Sequence, residues 1–234
     1  EEFSLDELKK YLSENNISAE NLSLKQFPSG YSNLTYFLQS SSKQFVLRRP
    51  PFGAKSLQGG HDMLREYNVL KNLKSQFSKV PDVFLYCDNN KILGAPFYLM
   101  ERVEGYIIRP NLQQKDSPGS DIIQNVSKSL VSTLVELHNV NIEKANLKDL
   151  GNINGYVKRQ VEGWIKRYNH SKTDNISNMD FISSWLYENQ PPEVGSSIVH
   201  NDFKYDNLVL DKDDFSKISA VLEWEMATLG DPVM

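Results

Sequence analysis

One stretch decides the fold of this chain: Ser197-Ile198-Val199-His200-Asn201-Asp202-Phe203-Lys204-Tyr205-Asp206-Asn207-Leu208-Val209-Leu210-Asp211. It contains two short apolar runs, which predict two strands on either side of a loop. The loop carries histidine, aspartate, lysine and asparagine side chains. A loop this polar, fixed between two strands, is typical of a site of chemistry rather than of packing.

Three side chains of this loop are spaced to act on one phosphate group. Lys204 follows Asp202 by two positions, and Asn207 follows it by five. The carboxylate could orient or deprotonate a hydroxyl, and the ammonium could neutralise a transferring phosphoryl group. The amide oxygen of Asn207 suits Mg²⁺, which prefers oxygen ligands. The spacing therefore allows the three side chains to converge on one phosphate and its metal.

The pattern His200-x-Asp202-x-x-x-x-Asn207 resembles the catalytic loop of protein-kinase-like folds, in the form used by aminoglycoside phosphotransferases and their relatives. A second resemblance lies further along the chain, in Val221-Leu222-Glu223-Trp224-Glu225-Met226-Ala227-Thr228-Leu229-Gly230-Asp231-Pro232. In that family a strand ends in Asp-Trp-Glu before a Leu-Gly-Asp-Pro turn, and the Asp is the second metal ligand. Here Glu223 stands at that place. Since Glu is one methylene longer and Mg²⁺ demands near-octahedral geometry, Glu223 can bind it only if the backbone yields slightly.

Composition narrows the class of protein. The chain has 234 residues, of which 39% are hydrophobic and 24% charged, as in ordinary globular proteins. A net charge of -4 gives no electrostatic reason to expect nucleic acid or a polyanionic membrane as partner. Cys87 is the one cysteine, so an internal disulfide or a zinc cluster is excluded and a cytoplasmic location is the expectation. We expect neither a transmembrane helix nor a signal peptide, and the sequence gives no signal for an oligomeric state.

The N-terminal part predicts a helix followed by a hairpin. Ser4 and Glu7 form a capping box that opens a helix over residues 4–14. The hairpin turn, residues 28–33, has two interpretations. It is an ordinary turn, or it covers a nucleotide, with Ser32 or Asn33 over the phosphates. The turn resembles the Gly-x-Ser-Asn turn of the phosphotransferases.

The next strand and helix predict a buried ion pair. The resemblance implies that Arg48 takes the place of the strand lysine that meets nucleotide phosphates, although a solvated strand end is the alternative. Glu66 lies within the apolar face of the helix over residues 61–73. A carboxylate there is costly unless paired, so we predict an ion pair with Arg48. The alternative is that Glu66 reaches the rim, towards Arg65 or Lys71.

The resemblance also implies the architecture. It predicts an α+β, bilobal protein-kinase-like fold, with a small antiparallel-sheet lobe over residues 1–103 and a mostly helical lobe over residues 104–234. The hinge would be residues 101–105, where the carbonyl of Glu101 and the N–H of Val103 bond an adenine edge. In the family, further helices follow the point that corresponds to Met234, so the C-terminal part of the large lobe is expected to be missing from this chain.

The implied activity is ATP-dependent, Mg²⁺-requiring phosphorylation of a small-molecule hydroxyl acceptor. Its catalytic residues would be Asp202 and Lys204, with His200 bracing the loop, and its metal ligands Asn207 and Glu223. Arg48, Glu66, Ser32, Asn33, Glu101 and Val103 would bind the nucleotide. The sequence around Arg48, Glu66 and Trp224 is similar to that of the kinase-like domains related to those fused to acyl-CoA dehydrogenases. A hydroxyacyl acceptor is therefore expected, while choline-like, homoserine-like and antibiotic acceptors stay open.

Two other function classes compete with this interpretation. A pseudokinase would bind nucleotide without transferring phosphate, and the departure at Glu223 is its motive. It would bind nucleotide without a metal, whereas an enzyme needs Mg²⁺ or Mn²⁺. A plain scaffold domain would bind no nucleotide at all.

Overall fold

The computed structural model describes residues 4–28, 33–51, 61–109 and 119–234. A five-stranded antiparallel sheet forms the first part of the chain, in the order β1-β2-β3-β5-β4. Its strands are β1 (Ser23–Gln26), β2 (Leu34–Gln39), β3 (Gln44–Arg49), β4 (Val83–Cys87) and β5 (Phe97–Glu101).

Helices cover both faces of this sheet, because side chains alternate between the faces along each strand. Leu47 and Leu99 face helix α1 (Leu5–Glu14), whose Leu8 and Leu12 are fully buried. Val46, Tyr98 and Met100 face helix α2 (Met63–Leu73). The side chain of Ser4 caps α1 as predicted, accepting a hydrogen bond from the N–H of Glu7 at 3.4 Å. Between β4 and β5 lies a short helix, α3 (Asn90–Leu93).

The second part of the chain is mostly helical. It contains α4 (Ser120–His138), α5 (Tyr156–Ser171) and α6 (Met179–Glu188). Four short strands follow, β6 (Ser197–Val199), β7 (Leu208–Leu210), β8 (Ile218–Val221) and β9 (Thr228–Gly230). They form two antiparallel pairs, β6 with β9 and β7 with β8. The predicted α+β architecture of a sheet lobe followed by a helical lobe is therefore confirmed.

One hydrophobic core crosses from the first lobe to the second. Val69 and Leu73 of α2 belong to the same buried cluster as Val126 of α4, Leu208 of β7 and Trp224. The two lobes are thus packed together through α2 rather than joined by the chain alone. The domain boundary at residues 103 and 104 stays a prediction.

Gly105, in the segment predicted as the hinge, lies directly against strand β7. A Cβ atom at Gly105 would meet the carbonyl oxygen of Leu210 at 2.1 Å. The next residue, Tyr106, forms two backbone hydrogen bonds with Leu210, of 2.9 and 2.8 Å. Because Gly105 has no side chain, the hinge segment can lie against the β7–β8 hairpin, which follows the predicted catalytic loop.

Across the described ranges, no helix combines the length and the apolar character that a bilayer crossing requires.

Candidate functional site

A cavity of about 380 Å³ lies where the sheet lobe, the hinge and the catalytic loop meet. Apolar side chains line part of it, and charged and amide side chains line the rest. The apolar lining includes Val46, Met100, Val209 and Leu222, and the polar lining includes Asp202, Lys204, Asn207, Glu223 and Glu225. A pocket with an apolar wall and a few convergent polar groups is typical of a small-molecule site.

The catalytic loop begins at the buried strand β6 and turns sharply at Asn201. Asn201 has a positive φ of 64°, a conformation that asparagine tolerates better than most residues. Its side-chain amide donates to the carbonyl of Met226 at 3.0 Å and accepts from the Tyr156 hydroxyl at 3.3 Å. Two hydrogen bonds of its side chain thus hold the turn at Asn201, and the next residue, Asp202, lines the cavity.

His200 is buried with 1% of its surface exposed, and both ring nitrogens are engaged. Nδ1 accepts the N–H of Asp202 at 3.2 Å, which leaves Nε2 to donate to the carbonyl of Leu222 at 2.9 Å. Burial lowers the pKa of His200, which agrees with a neutral ring. These contacts support the predicted role of His200 as a brace for the loop.

Asp202 is held at both carboxylate oxygens. Its Oδ1 lies 3.0 Å from Nζ of Lys204, and its Oδ2 accepts a 2.8 Å hydrogen bond from the amide nitrogen of Asn207. The same amide nitrogen donates to the backbone carbonyl of Asp202 at 2.9 Å. The three predicted loop residues are thus brought together, as their spacing indicates.

The orientation of Asn207 matters for metal binding. Because its nitrogen faces Asp202, its oxygen is the atom left for another ligand, and it has no hydrogen-bond donor among the described residues. Asn207 and the carboxylate of Glu223 line the same cavity. Both are hard oxygen donors, and Mg²⁺ commonly takes one or two protein ligands and completes its shell with phosphate and water. The residues therefore fit Mg²⁺.

Glu223 begins a short turn of 3-10 helix and has an unusual backbone. Its φ of 64° and ψ of 61° lie in the left-handed region, which is uncommon for a non-glycine residue. Its Oε1 lies 2.6 Å from Nη1 of Arg48, and 39% of its side chain is exposed. The longer Glu side chain is thus in contact with the cation from strand β3.

Arg48 is almost fully buried and has three carboxylates around it. Besides Glu223, its guanidinium lies 3.5 Å from Glu66 and 3.5 Å from Glu225. The predicted ion pair between Arg48 and Glu66 is confirmed, and the alternative partners of Glu66 at the rim are not used. Although burial lowers the pKa of Arg48, the charges of Glu66 and Glu223 outweigh it and raise the pKa above its ordinary value.

Glu66 experiences the opposite balance. Burial raises its pKa first, Arg48 opposes that effect, and repulsion from Glu223 and Glu225 adds to it, so that the pKa of Glu66 rises to about 7. Three acids surround one guanidinium, and Glu66 is the most buried of them, with a contact of 3.5 Å to Arg48. Burial therefore favours the protonated form of Glu66 more than it would for an exposed glutamate.

Asn33 has hydrogen-bond partners within the protein. Its side chain, expected over nucleotide phosphates, is buried and donates to Oε2 of Glu225 at 2.6 Å. Its amide oxygen lies 2.8 Å from Nδ1 of His61. The side chain thus links the sheet lobe to the turn after Glu223, because a buried amide needs hydrogen-bond partners. Ser32, the other residue expected there, lies outside the described residues.

Glu101 and Val103 line the cavity at the hinge, where the sequence places them. The Glu101 side chain accepts a hydrogen bond from the N–H of Asp82 at 3.1 Å, so only the backbone of Glu101 is left for the predicted contact with adenine. Among the described residues, the N–H of Val103 has no hydrogen-bond partner. The geometry permits the backbone of Glu101 and Val103 to bond an adenine edge, and this role stays a prediction.

Sequence reasoning missed Glu225 and Arg65. Glu225 ends the segment Glu223-Trp224-Glu225, which corresponds to the Asp-Trp-Glu motif of the family, so its place beside Trp224 was a signal that could have been used. Arg65 precedes Glu66 in α2, and it donates to the backbone carbonyls of Glu225, Ala227 and Leu150. Backbone carbonyls leave no mark in a sequence, so this contact had no signal to find.

Comparisons with known proteins agree with this geometry. The family model described as "Phosphotransferase enzyme family" matches residues 23–234. Acyl-CoA dehydrogenase family member 11 of Rattus norvegicus is 41% identical over 213 residues, which are 91% of this chain and 27% of that protein. Family member 10 of Mus musculus is 34% identical over 230 residues, or 97% of this chain and 21% of that protein. The chain thus spans about a quarter of the length of these curated relatives.

Solved structures share the fold. A protein of Ralstonia eutropha JMP134, described with the aminoglycoside phosphotransferases, superposes with a TM-score of 0.82 at 29% identity and covers 99% of this chain and 67% of its own. An aminoglycoside phosphotransferase in ternary complex with ADP and hygromycin B superposes with a TM-score of 0.64 at 15% identity, covering 96% of this chain and 72% of its own, which shows the fold alone. The predicted protein-kinase-like fold is confirmed, and the chain belongs to the phosphotransferase enzyme family.

Proposed function

We propose that this chain transfers the γ-phosphoryl group of ATP to a hydroxyl group of a small molecule. One observation carries the proposal: both carboxylate oxygens of Asp202 are held, by Lys204 at 3.0 Å and by Asn207 at 2.8 Å, beside the cavity that Glu223 also lines. This arrangement supports a base that is oriented before substrate arrives, which is what positioning catalysis requires.

The nucleotide would take the apolar part of the cavity. Val46, Met100 and Leu222 offer surface for a base, and the backbone of Glu101 and Val103 offers an acceptor and a donor for its edge. A volume of about 380 Å³ is within the range of small-molecule sites. The ADP bound to the structural neighbour described above supports a nucleotide in this cavity.

In the transfer step the acceptor oxygen forms a bond to the γ-phosphorus while the bond from that phosphorus to the bridging β,γ-oxygen breaks, releasing ADP. Asp202 accepts the hydroxyl proton. Lys204 and Arg48 offset the negative charge of the phosphates. Asn207 and Glu223 would hold Mg²⁺, which when bound neutralises phosphate charge and supports departure of ADP.

The acceptor is the finer part of the proposal. The 41% identity to a protein named an acyl-CoA dehydrogenase family member supports a hydroxyacyl metabolite, although the shared region is only 27% of that protein. Choline-like, homoserine-like and aminoglycoside acceptors belong in the same assay. A cytoplasmic location and the absence of nucleic-acid or membrane partners stay predictions from composition.

ATP consumption with Mg²⁺ and a panel of hydroxyacyl-CoAs, hydroxylated metabolites and aminoglycosides tests the proposal. Asp202→Ala should abolish acceptor-dependent turnover while ADP binding, measured by isothermal titration calorimetry, stays within about twofold of the wild type. Asp213→Asn is the matched control, because Asp213 is an exposed acid shortly after the same loop and its side chain has no described partner. Acceptor-dependent turnover that survives in Asp202→Ala contradicts the proposed role.

A pseudokinase is the second candidate, and the 2.6 Å contact between Glu223 and Arg48 favours it. A metal ligand already bonded to a guanidinium is less available to Mg²⁺. This candidate predicts tight nucleotide binding that is independent of Mg²⁺, with no turnover for any acceptor. Metal-dependent binding followed by turnover excludes it.

A further inference from the structure

Helix α2 contacts residues of the site through two consecutive side chains, Arg65 and Glu66. Glu66 is buried and lies 3.5 Å from Arg48. Arg65 faces the large lobe, and its guanidinium donates to the carbonyls of Glu225 at 3.2 Å and Leu150 at 3.3 Å. It also donates to the carbonyl of Ala227. One helix therefore contacts both the cation of strand β3 and the turn that begins at Glu223.

The backbone carbonyls that Arg65 contacts lie at the ends of short helical turns and need a hydrogen-bond donor from outside the turn. Glu225 lies in the short 3-10 turn Trp224–Met226, Ala227 follows it, and Leu150 ends another such turn. The last carbonyls of a helical turn have no partner within the turn, so a side-chain donor or water must satisfy them. The planar guanidinium of arginine can donate to several acceptors at once.

The backbone of Arg65 is also held in place, at the first turn of α2. Asp62 caps α2 by accepting the N–H of Arg65 at 2.9 Å, which fixes the first turn of the helix. At the other end, the turn after Glu223 is fixed on its far side, since Trp224 is buried against the ring of His200 at a centroid distance of 4.7 Å. Arg65 thus bridges two rigid elements.

We propose that Arg65 is a positioning residue that sets the place of the Glu223 carboxylate relative to Arg48. The inference rests on the proposed function, in which Glu223 and Asn207 hold Mg²⁺ beside the nucleotide. Without the three contacts of Arg65, the turn after Glu223 loses its register with α2, and the metal-binding carboxylate is no longer aligned with the phosphates.

The test is ADP binding by isothermal titration calorimetry, once with excess Mg²⁺ and once with EDTA. In the wild type, Mg²⁺ should increase the affinity for ADP. In Arg65→Gln this increase should be about tenfold smaller, the effect expected for losing a charged donor, while the affinity in EDTA stays within about twofold. Arg65→Lys keeps the charge but not the fork, and it should restore part of the increase.

Lys71→Gln is the matched control, since Lys71 is an exposed cation on the same helix that contacts neither Glu223 nor its turn. It should behave as the wild type. A folded Arg65→Gln that keeps the full Mg²⁺ effect overturns the inference and leaves the proposed function intact, and so does an equal loss of affinity with and without Mg²⁺. Should Arg65→Gln fail to fold, the same titration of Arg65→Lys decides the matter. A wild type without any Mg²⁺ effect overturns the proposed function and this inference together.

Discussion

Replacing Glu66 with glutamine should remove a pH dependence from the stability of the fold. Glu66 has 1% of its surface exposed, and its carboxylate lies 3.5 Å from Arg48, which Glu223 contacts more closely. Burial is the largest effect and raises the pKa of Glu66. The charge of Arg48 lowers this pKa, and repulsion from Glu223 and Glu225 raises it again, so that it is about 7. The folded protein therefore holds a proton on Glu66 at a pH where the unfolded chain has lost it.

The sign and size of the effect follow by linkage. The ordinary pKa of Glu is 4.5, so the stabilisation from this proton is fully present below that pH and is lost as the pH rises to about 7. At about 1.4 kcal/mol for each unit of pKa, the loss amounts to about 3 kcal/mol. Glutamine is neutral throughout and nearly the same size. Arg48 keeps Glu223 at 2.6 Å in the variant, so it is not left as an unpaired buried charge.

Urea unfolding between pH 4.5 and pH 8, monitored by tryptophan fluorescence, measures this contribution. The wild type should lose about 3 kcal/mol more free energy of unfolding across this range than Glu66→Gln does. Glu188→Gln serves as the control, because Glu188 is an exposed acid at the end of α6. Its profile should follow the wild type. Parallel profiles for Glu66→Gln and the wild type would refute the argument that a buried, shared carboxylate holds this proton.

Two further predictions concern Gly230 in strand β9 and Glu223 before the 3-10 turn. Gly230→Ala should destabilise the fold by about 1 to 3 kcal/mol, since its Cβ would lie 2.6 to 2.8 Å from ring carbons of Tyr156, and overpacking costs about this much. The urea midpoint checks this, and an unchanged midpoint would show that the ring moves freely. Glu223→Asp shortens the acid that contacts Arg48, so the Mg²⁺ concentration needed for half-maximal ADP binding should fall severalfold. A midpoint that stays where it was would show that the length of Glu223 does not limit metal binding.

The sequence alone determined the local chemistry of the site. Asp202, Lys204 and Asn207 meet because they lie within one short loop, and a loop fixed by strands β6 and β7 has few ways to arrange them. The pairing of Glu66 with Arg48 was also predictable, because a carboxylate on the buried face of a helix must find a cation, and burial makes an unpaired charge costly.

The contacts between distant segments were decided only by the tertiary structure. Asn33 bonds Glu225 across 192 positions of sequence, and Arg65 reaches backbone carbonyls 85 to 162 positions away. A carbonyl is the same at every residue, so no residue type marks it as an acceptor, and an amide such as Asn33 can serve a phosphate or a carboxylate equally well. Which partner each group takes depends on how α2 packs between the lobes, and that packing is set by the whole core rather than by any one motif.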